Sequence, residues 1–195
     1  TPTTYTLKNH NIQSFNNSTL GSVNGTAVTV SGNASVIGDY LMLTERNNDK
    51  QGGITIPASG LNEAPLHVSF DAISTKTSGA ADGFSYSFGP DVNAASTSPN
   101  AEVGTGTKLT VSFSNYGSNS RGIRIYYNPA SNQSLTTTVG SVMLAYSSNL
   151  NWMGTRSKVA INVDNSGKLT LTLNGSVIFN NVQLPADYLT SNKAT

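Results

Sequence analysis

The sequence predicts an all-β fold, a sandwich of two antiparallel sheets, and three observations lead to it. Apolar and polar residues alternate over many short stretches, which indicates strands with one face on a core and one toward water. These stretches are rich in Val, Ile, Thr, Phe and Tyr, which are favoured on a pleated sheet. Turn-forming residues separate them, and no stretch shows a capped helical period. We therefore expect one β-sandwich domain over residues 1–195.

Six stretches show the alternation most clearly, and each predicts a strand. Their inward residues are Leu66, Val68, Phe70 and Ala72; Phe84, Tyr86 and Phe88; Leu109, Val111 and Phe113; Ile123, Ile125 and Tyr127; Val159, Ile161 and Val163; and Leu169, Leu171 and Leu173. Between the later strands, Asp164-Asn165-Ser166-Gly167 and Asn174-Gly175 predict hairpins, the second with a two-residue type I′ turn. Asn24-Gly25 is a similar signal.

The composition excludes several classes of partner. Only 11% of the residues are charged and the net charge is +1, with no basic run. Nucleic-acid binding needs Lys and Arg to replace counterions, and membrane-surface binding needs a basic amphipathic face, so neither is expected. The apolar runs are too short for membrane insertion. Cysteine is absent, so disulfides and thiolate metal sites are not expected. No signal peptide is visible at Thr1, so the chain is interpreted as the mature or trimmed form of an extracellular or cell-surface protein.

Ala81-Asp82-Gly83-Phe84-Ser85-Tyr86-Ser87-Phe88 resembles the Ala-Asp-Gly-plus-strand motif of legume-type (L-type) lectins, in the concanavalin A-like superfamily. The similarity in order and spacing extends from about Thr29 to Leu184. It includes Tyr40-Leu41-Met42-Leu43-Thr44, Gln51-Gly52-Gly53, Val68-Ser69-Phe70-Asp71, the strand and loop from Gly106 to Tyr116, Gly122-Ile123-Arg124-Ile125-Tyr126-Tyr127-Asn128, and the paired strands from Val159 to Phe179. The resemblance implies a concanavalin A-like jelly roll and a lectin-like carbohydrate-binding or adhesion module of the kind found in bacterial surface proteins.

The resemblance also implies where a glycan would bind. The implied site is the loop end that contains Asp82, Gly83, Gly104, Gly106, Asn115, Tyr116, Asn119 and Arg121. Carboxylates, amides and an Arg fork suit hydroxyl-rich ligands, and an aromatic ring can stack on a sugar face. Two alternatives remain open: the Asp82 carboxylate can cap a loop by accepting backbone N–H groups, and the other residues can form an ordinary polar loop.

Metal-binding plant lectins carry a Glu and an Asp two residues apart on one strand, and this sequence departs from them there. Ser112 and Ser114 occupy the matching positions, and hydroxyls are poor substitutes for carboxylates in a calcium site. We therefore expect no cofactor and no tight metal at this strand. A weaker calcium site built from other loops remains open, with Asp39, Asp49 and Asp91 as candidates.

The sequence gives no sign of catalysis. Glycoside hydrolases on related sandwiches need two carboxylates on one strand, about 5–5.5 Å apart in retaining enzymes. Glu45, Glu63 and Glu102 are the only glutamates, and all lie in or beside predicted loops. His10 and His67 have no partner at ligand spacing, and the single tryptophan, Trp152, is expected to pack in the core or at a sheet edge. We expect no enzyme activity.

The family usually continues into one more strand after a Leu-Pro segment such as Leu184-Pro185. We therefore expect a sandwich that lacks its last strand, with the gap filled by the remainder of a longer chain or by a neighbouring copy. Two functions follow as alternatives. One is carbohydrate recognition at the Asp82 loop end, and the other is a structural or self-assembling surface building block without a small-molecule ligand. The expected partner is a glycan or a cell-surface or matrix protein.

Overall fold

The computed structural model describes residues 20, 22–23, 26–45, 49–57, 64–74, 82–89, 92, 102, 109–117, 120–130 and 133–190. The chain divides into two compact units, Thr1–Leu61 with Ala194–Thr195, and Asn62–Lys193. The described residues form fourteen strands and one four-residue helix. The all-β prediction is confirmed. The single domain over residues 1–195, and the jelly-roll connectivity within the sandwich, stay predictions.

The first unit contains three two-stranded antiparallel sheets among its described residues. Their strands are β1 (Ser22–Val23) with β2 (Thr26–Ala27), β3 (Thr29–Gly32) with β6 (Gly52–Thr55), and β4 (Ser35–Ile37) with β5 (Tyr40–Met42). The predicted Asn24-Gly25 turn lies outside the described residues, and the strands on either side of it pair as expected for a hairpin.

Two four-stranded antiparallel sheets make up the described part of the second unit. The front sheet has the order β11-β10-β9-β8, and the back sheet has the order β14-β13-β12-β7. The front strands are β8 (Gly83–Phe88), β9 (Leu109–Ser114), β10 (Gly122–Tyr127) and β11 (Met143–Ser147). The back strands are β7 (Leu66–Ile73), β12 (Arg156–Val163), β13 (Lys168–Leu173) and β14 (Ser176–Gln183). Helix α1 (Asp187–Thr190) follows β14.

Aromatic side chains join the two sheets face to face. The ring of Phe70 on β7 lies 6.5 Å from the Phe84 ring and 6.0 Å from the Tyr86 ring, both on β8. Phe84 in turn stacks on Phe113 of β9 at 4.6 Å. Trp152, 2% exposed, contacts both Phe84 and Phe113 edge-on at 5.7 Å, so its predicted packing role is confirmed. The inward residues of the six predicted strands therefore form the core of a sandwich, as the alternation predicted.

Both predicted hairpin turns between the later strands are present. Asn174 and Gly175 have φ values of 51° and 82°, the left-handed pair that a type I′ turn requires, and they connect β13 to β14. Residues 164–167 connect β12 to β13. There the Asp164 carboxylate accepts hydrogen bonds from the Ser166 N–H at 2.8 Å, the Ser166 hydroxyl at 2.7 Å and the Lys168 N–H at 2.9 Å.

These bonds predict a pH-dependent contribution of the Asp164 turn to stability. The backbone N–H of Lys168, followed by the Ser166 hydroxyl, lowers the pKa of Asp164 below its ordinary value. The stabilisation is therefore complete above the unfolded pKa of about 3.9 and is lost as the pH falls through the lower folded pKa. We expect Asp164→Asn to melt a few degrees below the unsubstituted protein at pH 7. Melting curves from pH 7 to pH 2 should show this difference shrinking below pH 4, and a difference that stays constant would contradict the assignment.

Sequence reasoning missed one front-sheet strand and the short helix. Met143-Leu144-Ala145-Tyr146-Ser147 forms β11 although it shows no period-2 alternation of polar and apolar residues. Helix α1 is too short for a periodic signal, and it holds Tyr188 fully buried, with its ring 6.4 Å from that of Tyr127. Within the described ranges no helix has the length and apolarity to cross a membrane.

Candidate functional site

Two glycines mark one end of the front sheet. Gly83 and Gly122 both pair with Ser114, one from each side. Their φ values are 145° and 138°, a region that side chains rarely adopt. A Cβ at Gly83 would overlap the carbonyl oxygen of Phe113, and one at Gly122 would overlap that of Ser147. The glycine of the Ala-Asp-Gly motif is therefore required by the close approach of β8 to β9.

Asp82 directly precedes Gly83 and is exposed. Its carbonyl oxygen accepts hydrogen bonds from the Asn115 N–H at 2.8 Å and from the Ser114 hydroxyl at 3.4 Å. The backbone of Asp82 is thus fixed to the start of the segment that we call the site loop, of which residues 115–117 and 120–121 are described. Asn115 itself is buried, at 4% exposure, so its side chain is not open to solvent as the side chain of Asp82 is.

The site loop presents an aromatic ring to solvent. Tyr116 is 58% exposed, and its N–H donates to the Ser114 hydroxyl at 3.2 Å. Its carbonyl oxygen accepts from the Ser120 hydroxyl at 2.6 Å, and the Ser120 N–H donates to the Gly117 carbonyl at 3.3 Å. The exposed ring therefore stands on a backbone that is hydrogen-bonded at both of its ends.

Arg121 ends the loop and is half-buried. Its carbonyl oxygen accepts from the Tyr146 hydroxyl of β11 at 2.8 Å. Its Nε is buried and has no hydrogen-bond partner among the described residues. The backbone of Arg121 is therefore held by the front sheet, at the same sheet end as Asp82.

The outer face of the front sheet, turned away from the core, is buried as well. Its residues Thr110, Ser112, Ser114 and Arg124 are all 0% exposed. Residues 133–142, which we call the cover segment, lie over part of it, since the Thr136 carbonyl accepts from Arg124 Nε at 2.5 Å. Leu135 and Val142 also pack on the cluster of Tyr126 and Met143. The polar residues here are therefore interior groups.

Glu102 is a second carboxylate near Asp82, and it was not among the predicted site residues. It is 6% exposed. Burial raises the pKa of its carboxyl above the ordinary value, its own backbone N–H lowers that pKa in part, and the negative charge of Asp82 raises it again. Glu102 also acts electrostatically on Tyr126 of the outer face. An isolated Glu in a polar loop carries no sequence signal for such a position.

The structure thus brings together five of the eight predicted site residues, namely Asp82, Gly83, Asn115, Tyr116 and Arg121. Gly104, Gly106 and Asn119 lie outside the described residues, as does Asp91, one of the calcium candidates. Ser112 and Ser114 lie on the outer face, 0% exposed. Within the described residues, no three His, Asp or Glu side chains are close enough together to hold a metal ion. The roles of all eight residues stay predictions.

The sequence was compared with protein-family models and with curated proteins, and neither comparison found a match.

Proposed function

We propose that the chain is a non-catalytic extracellular or cell-surface binding module of the concanavalin A-like, lectin-like kind, which recognises carbohydrate at the Asp82 end of the front sheet. One observation carries the proposal: an exposed aspartate and an exposed tyrosine lie on two chain segments that a backbone hydrogen bond joins. Asp82 is tied to Asn115 by a 2.8 Å backbone hydrogen bond, and Tyr116 follows directly.

This pair of groups has the chemistry that a sugar requires. A carboxylate accepts hydrogen bonds from sugar hydroxyls, and charged acceptors form the stronger bonds. A tyrosine ring offers an apolar face for the C–H side of a pyranose and keeps a polar edge in water. The low charge of the whole chain, 11%, favours a neutral hydroxyl-rich ligand over a charged polymer.

The burial of Glu102 supports binding over hydrolysis. A glycosidase needs a protonated carboxyl that reaches the glycosidic oxygen and a second carboxylate across the bond. Glu102 carries a raised pKa, which suits an acid, but it is 6% exposed and therefore closed to a polymeric substrate. Of these two carboxylates, Asp82 is therefore the one that is exposed to solvent.

The proposal predicts a specific contribution from the Tyr116 ring. Tyr116→Ala should weaken binding of the best ligand on a glycan array by roughly three- to tenfold, because aromatic contacts contribute about 0.5–1.5 kcal/mol beyond area burial. The matched control is Tyr40→Ala, since Tyr40 on β5 is 56% exposed and lies far along the sequence. Calorimetric titration with that ligand measures the affinity of both variants. An equal loss of affinity in the two variants, or no loss in Tyr116→Ala, would count against the site.

A second candidate function is a self-assembling building block, and the two edges of the back sheet favour it. The edge strand β14 has register shifts against β13, which disrupt further pairing. The other edge strand, β7, keeps an unbroken eight-residue register with β12 and pairs with no other strand in the described part of the chain. A regular edge accepts a strand from a longer chain or from a neighbouring copy. Analytical ultracentrifugation at rising protein concentration separates the two functions. A sedimentation coefficient that increases with concentration indicates self-assembly, and a constant one indicates a monomeric lectin-like module.

A further inference from the structure

Arg124 is an unusual residue for the outer face of a sheet. It sits in the middle of β10, opposite Ser112 of β9 and Tyr146 of β11, and is 0% exposed. Burial lowers the pKa of its guanidinium, so the charged group is held there at a cost in free energy. Within the described residues it forms no salt bridge, and it is held instead by carbonyl oxygens and an aromatic ring.

Those contacts join two separate parts of the chain. Arg124 Nη2 donates to the carbonyl of Ser120 in the site loop, and Nε donates to the carbonyl of Thr136 in the cover segment at 2.5 Å. The guanidinium carbon lies 4.9 Å from the centroid of the Tyr146 ring, a cation–π contact. The Arg124 side chain is therefore hydrogen-bonded both to the segment that precedes β10 and to the segment that follows it.

Tyr146 completes the arrangement from the neighbouring strand. Its ring lies under the guanidinium, and its hydroxyl donates to the Arg121 carbonyl at 2.8 Å. Ser120 and Arg121, the last two residues of the site loop, are thus each held by one of these two side chains. The connection continues outward, because the Ser120 hydroxyl donates to the carbonyl of Tyr116, the exposed aromatic residue.

We propose that Arg124 and Tyr146 are positioning residues that fix the site loop from beneath, and that through Ser120 and Arg121 they set the orientation of the Tyr116 ring for ligand. Arg124 is fully buried and Tyr146 is half-buried against it, so we expect their effect to be preorganisation, which reduces the ordering cost of binding. The role of these residues in orienting Tyr116 for a ligand rests on the proposed carbohydrate function. Their role in holding the site loop does not depend on that function.

The test uses Tyr146→Phe, which removes the hydroxyl and keeps the ring under Arg124. Amide hydrogen exchange at Ser120 and Tyr116 should speed up by about fivefold, the effect of losing one hydrogen bond of ordinary strength. Affinity for the array-selected glycan should fall by a similar factor, with little change in melting temperature. Arg124→Lys, which keeps the charge and loses the planar fork, should give a larger effect in the same amides.

Tyr127→Phe is the matched control, since Tyr127 is 6% exposed on the same strand and its ring contacts Tyr188 on the opposite face of the sheet from Arg124. It should leave exchange in the site loop and glycan affinity unchanged. Unchanged exchange at Ser120 in both Tyr146→Phe and Arg124→Lys would overturn the fixing of the loop. Faster exchange with unchanged affinity would overturn the positioning role. If the unsubstituted protein binds no glycan, the proposed function fails while the exchange result still decides whether the loop is fixed in this way.

Discussion

Gly83→Ala should destabilise the fold by roughly 2–5 kcal/mol, because it adds backbone strain and an overlap in one step. Gly83 has a φ of 145°, which alanine adopts only with strain. The new Cβ would overlap the Phe113 carbonyl oxygen, a backbone atom in the centre of the front sheet that cannot rotate away. Urea denaturation measures the loss in the free energy of unfolding.

Gly140→Ala is the control for this substitution. A Cβ at Gly140 has no neighbouring atom within 4 Å, and its N–H bond to the Met143 carbonyl is retained by alanine. Its effect should be within about 0.5 kcal/mol of zero, as for an ordinary surface change. A Gly83→Ala protein as stable as the Gly140→Ala protein would contradict the close approach of β8 to β9 at the motif.

Asp82→Ala should weaken glycan binding by roughly ten- to a hundredfold, the effect of removing a hydrogen-bonded charged group. The fold should survive, because the contacts that tie residue 82 to Asn115 and Ser114 use its backbone carbonyl oxygen. Calorimetric titration with the glycan and a melting curve of each protein separate the two effects. A large fall in melting temperature would favour the alternative in which the carboxylate caps the loop.

Asp187→Ala controls for the loss of one surface carboxylate. Asp187 starts helix α1, whose Tyr188 contacts Tyr127 at the far end of β10. Tyr127 lies five positions along β10 from Gly122, about 17 Å at the usual rise per residue. This variant should bind glycan as the unsubstituted protein does. Unchanged affinity in Asp82→Ala would remove Asp82 from the site.

Six strands of the sandwich could be predicted from the sequence because polar and apolar residues alternate along each of them. Leu66–Ile73 and Arg156–Val163 alternate between core and exterior along their whole length, and the structure pairs them residue by residue. β11 could not be predicted this way. Its residues Leu144, Ala145 and Tyr146 are all half-buried, so neither face is open enough to select polar residues.

The burial of the outer face of the front sheet could not be predicted from the sequence for a related reason. Alternation marks Ser112 and Arg124 as outward residues, and outward normally means exposed. Here both residues are 0% exposed, and the cover segment, distant along the chain from β9, contacts Arg124 on that face. The family resemblance implied that Asp82, Asn115 and Tyr116 share one loop end, and their roles there stay predictions. The environments of Arg124 and Glu102 depend on long-range contacts.

The central claim, carbohydrate recognition at the Asp82 end of the front sheet, is tested most directly by nuclear magnetic resonance. The isotope-labelled protein would be titrated with the strongest ligand from a glycan array while the backbone amide shifts are followed. We expect saturable shifts at Asp82, Gly83, Tyr116 and Gly117, with the amides around α1 unmoved. Shifts confined to other surfaces, or no saturable shift with any glycan, would contradict the claim.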